Sequence, residues 1–154
     1  TFISATADDT ATVNVLQGGI SLVKTVGTVP GVCATTSSIN VPFNLGGTVV
    51  YYCYEVTNTG TFTQPVHDLV DSELGTIFTG FAYDLGPGDS VDTAAAGLTI
   101  SATITGTTIN TATWSAYLPD LPPYQATASA SVGHQPTDVT LSGISGESVN
   151  IGFA

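Results

Sequence analysis

Short runs of Val, Thr, Ile and Tyr, alternating apolar with polar residues and cut apart by Gly, Pro, Asn and Asp, set the terms on which this chain can fold. A period of two places successive side chains on opposite faces of a pleated strand. No segment shows an apolar repeat at helical spacing over a useful length. Strands are expected near 11–16, 20–26, 39–43, 48–58, 64–71, 76–83, 89–94, 98–105, 108–117, 125–132, 138–142 and 148–153. Turn signals separate them at Gly18-Gly19, Gly46-Gly47, Asn58-Thr-Gly60, Gly86-Pro-Gly88, Gly106 and Pro119 to Pro123. Many short strands at such spacing imply an all-β sandwich.

The chain has 154 residues, enough for one domain that buries roughly two thirds of its unfolded surface, and it needs no cofactor to fold. Its net charge is -11 with a single Lys or Arg, so it cannot neutralise phosphates, which excludes nucleic acid and anionic membranes as partners. No apolar stretch approaches the roughly 20 residues that insertion into a bilayer requires. The sequence begins at Thr1 and contains no Met, and reads as a processed mature chain or a piece of a longer one.

Cys33 lies in a Gly/Pro/Ser-rich loop and Cys53 in the run Val49-Val-Tyr-Tyr-Cys-Tyr-Glu-Val56. Alternation turns Val50, Tyr52, Tyr54 and Val56 inward and leaves Cys53 on the outer face, where a loop cysteine can reach it. A Cys33–Cys53 disulfide is therefore expected, contributing roughly 3 kcal/mol in the chain-entropy model and pointing to an oxidising, extracytoplasmic setting. The other reading is two unpaired small hydrophobes. Without Cys-x-x-Cys spacing, and with His67 and His134 far apart, no zinc site is expected.

Lys24 occupies the strand-like run Ile20-Ser-Leu-Val-Lys-Thr-Val26, on the same face as Ile20, Leu22 and Val26. Asn110 shares a face with Ala112 and Trp114, and Asp71 shares one with Leu69, so an amine, a carboxamide and a carboxylic acid all point inward. Those are the parts of a self-forming isopeptide bond. Burial frees the Lys24 amine to attack, while a protonated Asp71 polarises the Asn110 carbonyl and shuttles protons as ammonia leaves. The competing reading is a Lys24–Asp71 ion pair with Asn110 in an ordinary hydrogen bond.

Catalysis on substrates finds little support. Asp68, Asp71 and Glu73 are dense in charge for this chain, yet no His, Ser or Arg motif accompanies them, and a solvated loop is the plainer reading. The same cluster, or Asp8 and Asp9, could offer carboxylate oxygens to Ca²⁺, although no recognised loop spacing is present. His67 and His134 read as plain surface or strand residues. Trp114 and the tyrosines at 51, 52, 54, 83, 117 and 124 could stack against a glycan, but Trp114, Tyr52 and Tyr54 alternate toward the core. Asn-x-Ser/Thr sequons are absent, whereas O-linked sugar stays open.

Five segments follow one another in order: Ile20-Ser-Leu-Val-Lys-Thr-Val26, Gly47-Thr-Val-Val-Tyr-Tyr-Cys-Tyr-Glu-Val-Thr-Asn-Thr-Gly60, Val70-Asp71, Leu85-Gly-Pro-Gly-Asp-Ser-Val91 and Ile109-Asn-Thr-Ala-Thr113. Together, over about 20–117, they resemble the DUF11 surface-protein repeat of bacteria and archaea. That resemblance implies an immunoglobulin-like β-sandwich at the cell surface or outside the cell, with a structural or adhesive role and no enzymatic one. The two cysteines and the long connection between Val26 and Gly46 depart from its pattern.

The flanks give the chain three parts: an N-terminal segment 1–18, a sandwich over 19–133 and a C-terminal segment 134–154. Thr6-Ala-Asp-Asp-Thr-Ala-Thr-Val-Asn-Val15 resembles the closing strand of such a repeat, as does Tyr124-Gln-Ala-Thr-Ala-Ser-Ala-Ser-Val132. The alternating residues Ala11, Val13 and Val15 at one end, and Val149, Ile151 and Phe153 at the other, would leave apolar edge strands if unpaired. Exchange of these strands between copies would give head-to-tail growth, whereas folding back would pair them within one molecule. The first outcome makes the chain a structural subunit of an extracellular filament, stalk or surface layer. The alternative is an adhesive or carbohydrate-binding module.

Overall fold

The structure is a computed structural model, and it describes residues 16–135 together with Thr10 and Val13. The expected strands 138–142 and 148–153 lie outside the described residues, as do Ala11, Val15, Val149, Ile151, Phe153, Asp8 and Asp9. Of the expected strand 11–16, Val13 and Leu16 are described; both lie outside any strand and are 81% and 67% exposed.

Nine strands and no helix make up the described residues: β1 (Ile20–Gly27), β2 (Ser38–Pro42), β3 (Thr48–Asn58), β4 (Gln64–Asp71), β5 (Gly75–Leu85), β6 (Ser90–Asp92), β7 (Ile100–Ile104), β8 (Thr108–Tyr117) and β9 (Tyr124–Gln135). They form two sheets. In the first, β3 pairs with β1 on one side and with β6 and β7 on the other; the second has the order β2-β9-β8-β4-β5. Every pairing is antiparallel except β2 with β9. Chain crossings at β1–β2, β2–β3, β3–β4, β5–β6 and β7–β8 carry it from sheet to sheet in the manner of an immunoglobulin-like sandwich. The strand expected at 89–94 shortens to three residues because Ala96 N–H turns back to the Asp92 carbonyl and Leu98 N–H to that of Thr93.

Alternation decides the core. Val26, Val50, Tyr52, Tyr54 and Val56 from the first sheet meet Leu69, Ala112, Trp114, Ala116, Ala130 and Val132 from the second, all buried. Immunoglobulin domains of antibodies bridge their sheets here with a cystine. In this chain Cys53 faces away from the core and joins Cys33 over a Cα–Cα distance of 5.2 Å, stapling the β1–β2 connection to the outside of β3. Outward orientation does not leave it exposed: the staple and the Thr93 hydroxyl cover Cys53, which is buried.

Both ends of the sandwich are fixed by register. Ile20 pairs with Asn58, and Ala116 with Tyr124, at the end that carries the β3–β4 and β8–β9 turns. Buried Asn58 builds that end, donating from Nδ2 to the Phe62 and Leu85 carbonyls at 2.8 and 2.9 Å and accepting from Gly60 N–H at 2.8 Å. The incoming chain is fastened there, since Gln17 accepts from Thr61 N–H at 2.7 Å and Gly19 from Thr59 N–H at 3.0 Å. Gly60 permits this approach, because a Cβ on it would stand 2.6 Å from the Gln17 carbonyl oxygen. At the opposite end Thr108 pairs with Val132 and Pro42 with Gln135. The described chain therefore enters at one end of the sandwich and leaves at the other.

Reduction of Cys33–Cys53, which closes a separation of 20 residues, should cost about 3 kcal/mol of stability, read as a shift of the urea midpoint with and without reductant.

Candidate functional site

Lys24 is 1% exposed and faces the core from β1. β1 packs over β9, while Asp71 ends β4, beyond the intervening strand β8. The residue opposite Asp71 on β8 is Ala112, whose methyl leaves room for a long side chain to pass. Lys24 Nζ meets Asp71 Oδ2 at 2.7 Å, with neither side chain exposed to solvent. The aromatic rings of Tyr52 and Tyr54 line the ammonium, their centroids 4.6 and 5.2 Å from Nζ, a cation–π arrangement in a desolvated place.

Asp71 is held by four donors. Besides Lys24, the Tyr54 hydroxyl donates to Oδ2, and the amides of Glu73 and Leu74 donate to Oδ1 at 3.0 Å each as the chain turns into β5. Burial pushes its carboxyl up, but these donors together outweigh burial and hold it below the ordinary value. Burial likewise lowers the Lys24 amine, against the opposing pull of Asp71. Burial raises the phenols of Tyr52 and Tyr54. The resting cluster is thus an ionised carboxylate on an ammonium, ringed by neutral phenols.

Asn110 is fully buried on β8, opposite Ala130 of β9. Its Oδ1 accepts from the Ser72 hydroxyl at 3.2 Å, whereas its Nδ2 and the Tyr52 hydroxyl are buried without partners. The carboxamide lies near enough to the phenol to oppose its rise, yet the two polar atoms do not reach hydrogen-bond geometry. An orphaned buried donor costs about 1–3 kcal/mol. Lys24, Asp71 and Asn110 accordingly gather around Tyr52 and the Asp71-Ser72 corner. Tyr52 and Asn110 also border an open cleft of about 370 Å³ with Glu73, Leu74, Thr103 and Thr108.

His67 is a correction to the sequence reading. It belongs to a strand but is 1% exposed, sharing the inward face of Leu69 and Asp71. Nε2 donates to the Gln64 and Tyr83 carbonyls at 3.0 and 2.9 Å, and Nδ1 accepts from Trp114 Nε1–H at 3.1 Å. These partners fix the neutral ring, and burial lowers its pKa. The alternation that turned Asp71 inward carried this signal too.

The acidic cluster does not converge. Asp68 lies on the opposite face from Asp71, accepting from Thr79 Oγ1 at 2.9 Å and Gly80 N–H at 2.7 Å, while Glu73 is exposed. Among the described residues one group has metal-ligand spacing, Cys33, Cys53 and Asp92, and its sulfurs are spent in the disulfide. The aromatics divide as their alternation implies: Trp114, Tyr52 and Tyr54 are buried, Tyr83 stacks on Phe81 along β5, and Tyr124 packs near Phe62.

No family model matches the chain, and no curated protein does. Among solved structures it is similar to the ApaA protein of Bordetella pertussis, at 18% identity and a TM-score of 0.50, over 80% of this chain and 100% of that one. It is also similar to the CARDB domain of the PF1109 protein of Pyrococcus furiosus, solved in complex with di-metal ions, at 15% identity and a TM-score of 0.43, over 81% of this chain and 100% of that one. Likeness at this level concerns the fold alone.

The site makes two stability predictions. Folding holds His67 neutral, so the unfolded chain binds its proton first as pH falls below 6.5; Asp71 contributes in full above 3.8 and loses its contribution as pH falls through its depressed folded value. Melting temperature should step down in both windows, and His67→Gln should abolish the first step alone. Asp71→Ala, which strands the buried ammonium, should lose about 3–5 kcal/mol in chemical denaturation.

Proposed function

We propose that the chain is a structural unit of an extracellular filament, stalk or surface layer, a module of the DUF11-like kind joined to copies of itself through its terminal segments. The observation that carries this reading is the axial path of the chain, which enters at the β3–β4 end of the sandwich and leaves at the β7–β8 end. Units built so pass a load from one neighbour to the next along their length. Exposed Val13 and Leu16 stand at the entrance as apolar groups for a neighbouring copy to cover. The disulfide favours an oxidising compartment outside the cytoplasm.

The same reading includes a covalent brace from Lys24 to Asn110. Ion pair and crosslink are then successive states. One proton crosses the 2.7 Å bond from Nζ to Asp71 Oδ2, converting the resting ion pair into a minor state with the neutral amine that can attack and a neutral acid beside it. Nζ attacks Asn110 Cγ, the Nζ–Cγ bond forms and the Cγ–Nδ2 bond breaks. Nδ2 takes the proton held by Asp71 and a second one from Nζ, leaving as ammonium while the carboxylate is restored. The departing atom has no hydrogen-bond partner to give up in the resting site.

Electron microscopy and gel analysis of the full chain test the assembly, with polymers that survive denaturant expected. A variant lacking residues 1–15 should remain folded and monomeric. A monodisperse full chain whose terminal segments are protected from hydrogen exchange on its own body overturns assembly, and specific glycan binding by that monomer would favour the adhesive alternative. Intact mass tests the brace: a mass one ammonia below that of the disulfide-bonded sequence is expected, and an undiminished mass overturns it.

A further inference from the structure

Ser72 immediately follows Asp71, where β4 has ended; the residue is exposed, but its hydroxyl is tied back to β8. Its backbone N–H donates to the Thr111 carbonyl at 2.8 Å, continuing the β4–β8 ladder by one bond. The reciprocal bond is unusual: Thr111 N–H donates to Ser72 Oγ at 3.0 Å, so the hydroxyl oxygen takes the place of a strand carbonyl. An amide N–H can only donate, which makes Oγ the acceptor there and leaves its single proton free. That proton is directed at Asn110 Oδ1, 3.2 Å away.

Resting on the crosslink reading above, we infer that Ser72 is a catalytic residue of the Lys24–Asn110 condensation, the donor that stabilises the oxyanion on Asn110 Oδ1. As Nζ bonds to Cγ, the carbonyl π electrons move onto Oδ1, and the positioned hydroxyl meets the developing charge. At 3.2 Å the bond is long for one between two oxygens, and it shortens as charge accumulates on the acceptor. When the carbonyl re-forms, Nδ2 departs with the proton relayed by Asp71 and Ser72 keeps its own. The hydroxyl neither gains nor loses atoms; it lowers the barrier from a place fixed by the Thr111 amide.

Pulse-labelled expression of the full chain, sampled by intact mass, reads the rate of ammonia loss directly. Ser72→Thr and Ser72→Val form the decisive pair, since they share a shape and differ in the hydroxyl. The Thr variant should crosslink close to the wild-type rate, and the Val variant roughly a hundredfold more slowly, the scale of one lost oxyanion donor. Ser72→Ala provides a second hydroxyl-free variant, with circular dichroism melting confirming that each is folded. Wild-type chain that never loses ammonia overturns the crosslink itself. Wild-type chain that crosslinks, with a folded Val or Ala variant crosslinking equally fast, overturns the role of Ser72 alone.

Discussion

One ammonium group shut away from water organises the interior of this sandwich. Desolvating Lys24 is costly enough that the surroundings must repay it in full, and they do so from both sheets: a carboxylate from the end of β4 and two aromatic faces from β3. Asp71 in turn is anchored by amides of its own turn, so the pair registers the two sheets against each other at a defined point. An apolar core of the same volume would give comparable stability without that registration. The small residues nearby follow from the same demand, since Ala112 lies opposite Asp71 on β8, along the path that the lysine side chain must cross.

Most of the fold could be read because the strands that supply the core, β1, β3, β4, β8 and β9, largely alternate inward and outward residues, whereas β5 does not. Lys24, Asp71, Asn110, Tyr52, Tyr54 and Trp114 all point where alternation sends them. Reading failed where a residue's role comes from something other than its strand face. Ser72 stands past the end of β4, and its hydroxyl reaches Asn110 because the backbone has already turned, a geometry no periodicity encodes. Cys53 faces outward as its position dictates, yet it is buried, because a segment distant in sequence is stapled over it. His67 is a different failure. Its face was legible, but a lone histidine suggested solvent, and its acceptors and donor come from β4, β5 and β8 together.

The polarity of the domain is set by humble parts. Asn58, Gly60 and Gln17 tie the incoming chain to one end through main-chain hydrogen bonds, while β9 runs on past β8 to pair with β2 at the other. Tension between the termini would load β1 along its own axis, in shear against its ladder with β3. Lys24 sits midway along that strand and already grips the opposite sheet, which is where a brace against sliding is most useful.

Scarcity of basic residues has a biological corollary. Proteases that cut after lysine or arginine find a single site in the entire sequence, and it is the one walled in between the sheets. Digestion by that class of enzyme must wait for the whole sandwich to open, so a material assembled from such units would outlast its neighbours in surroundings rich in tryptic activity.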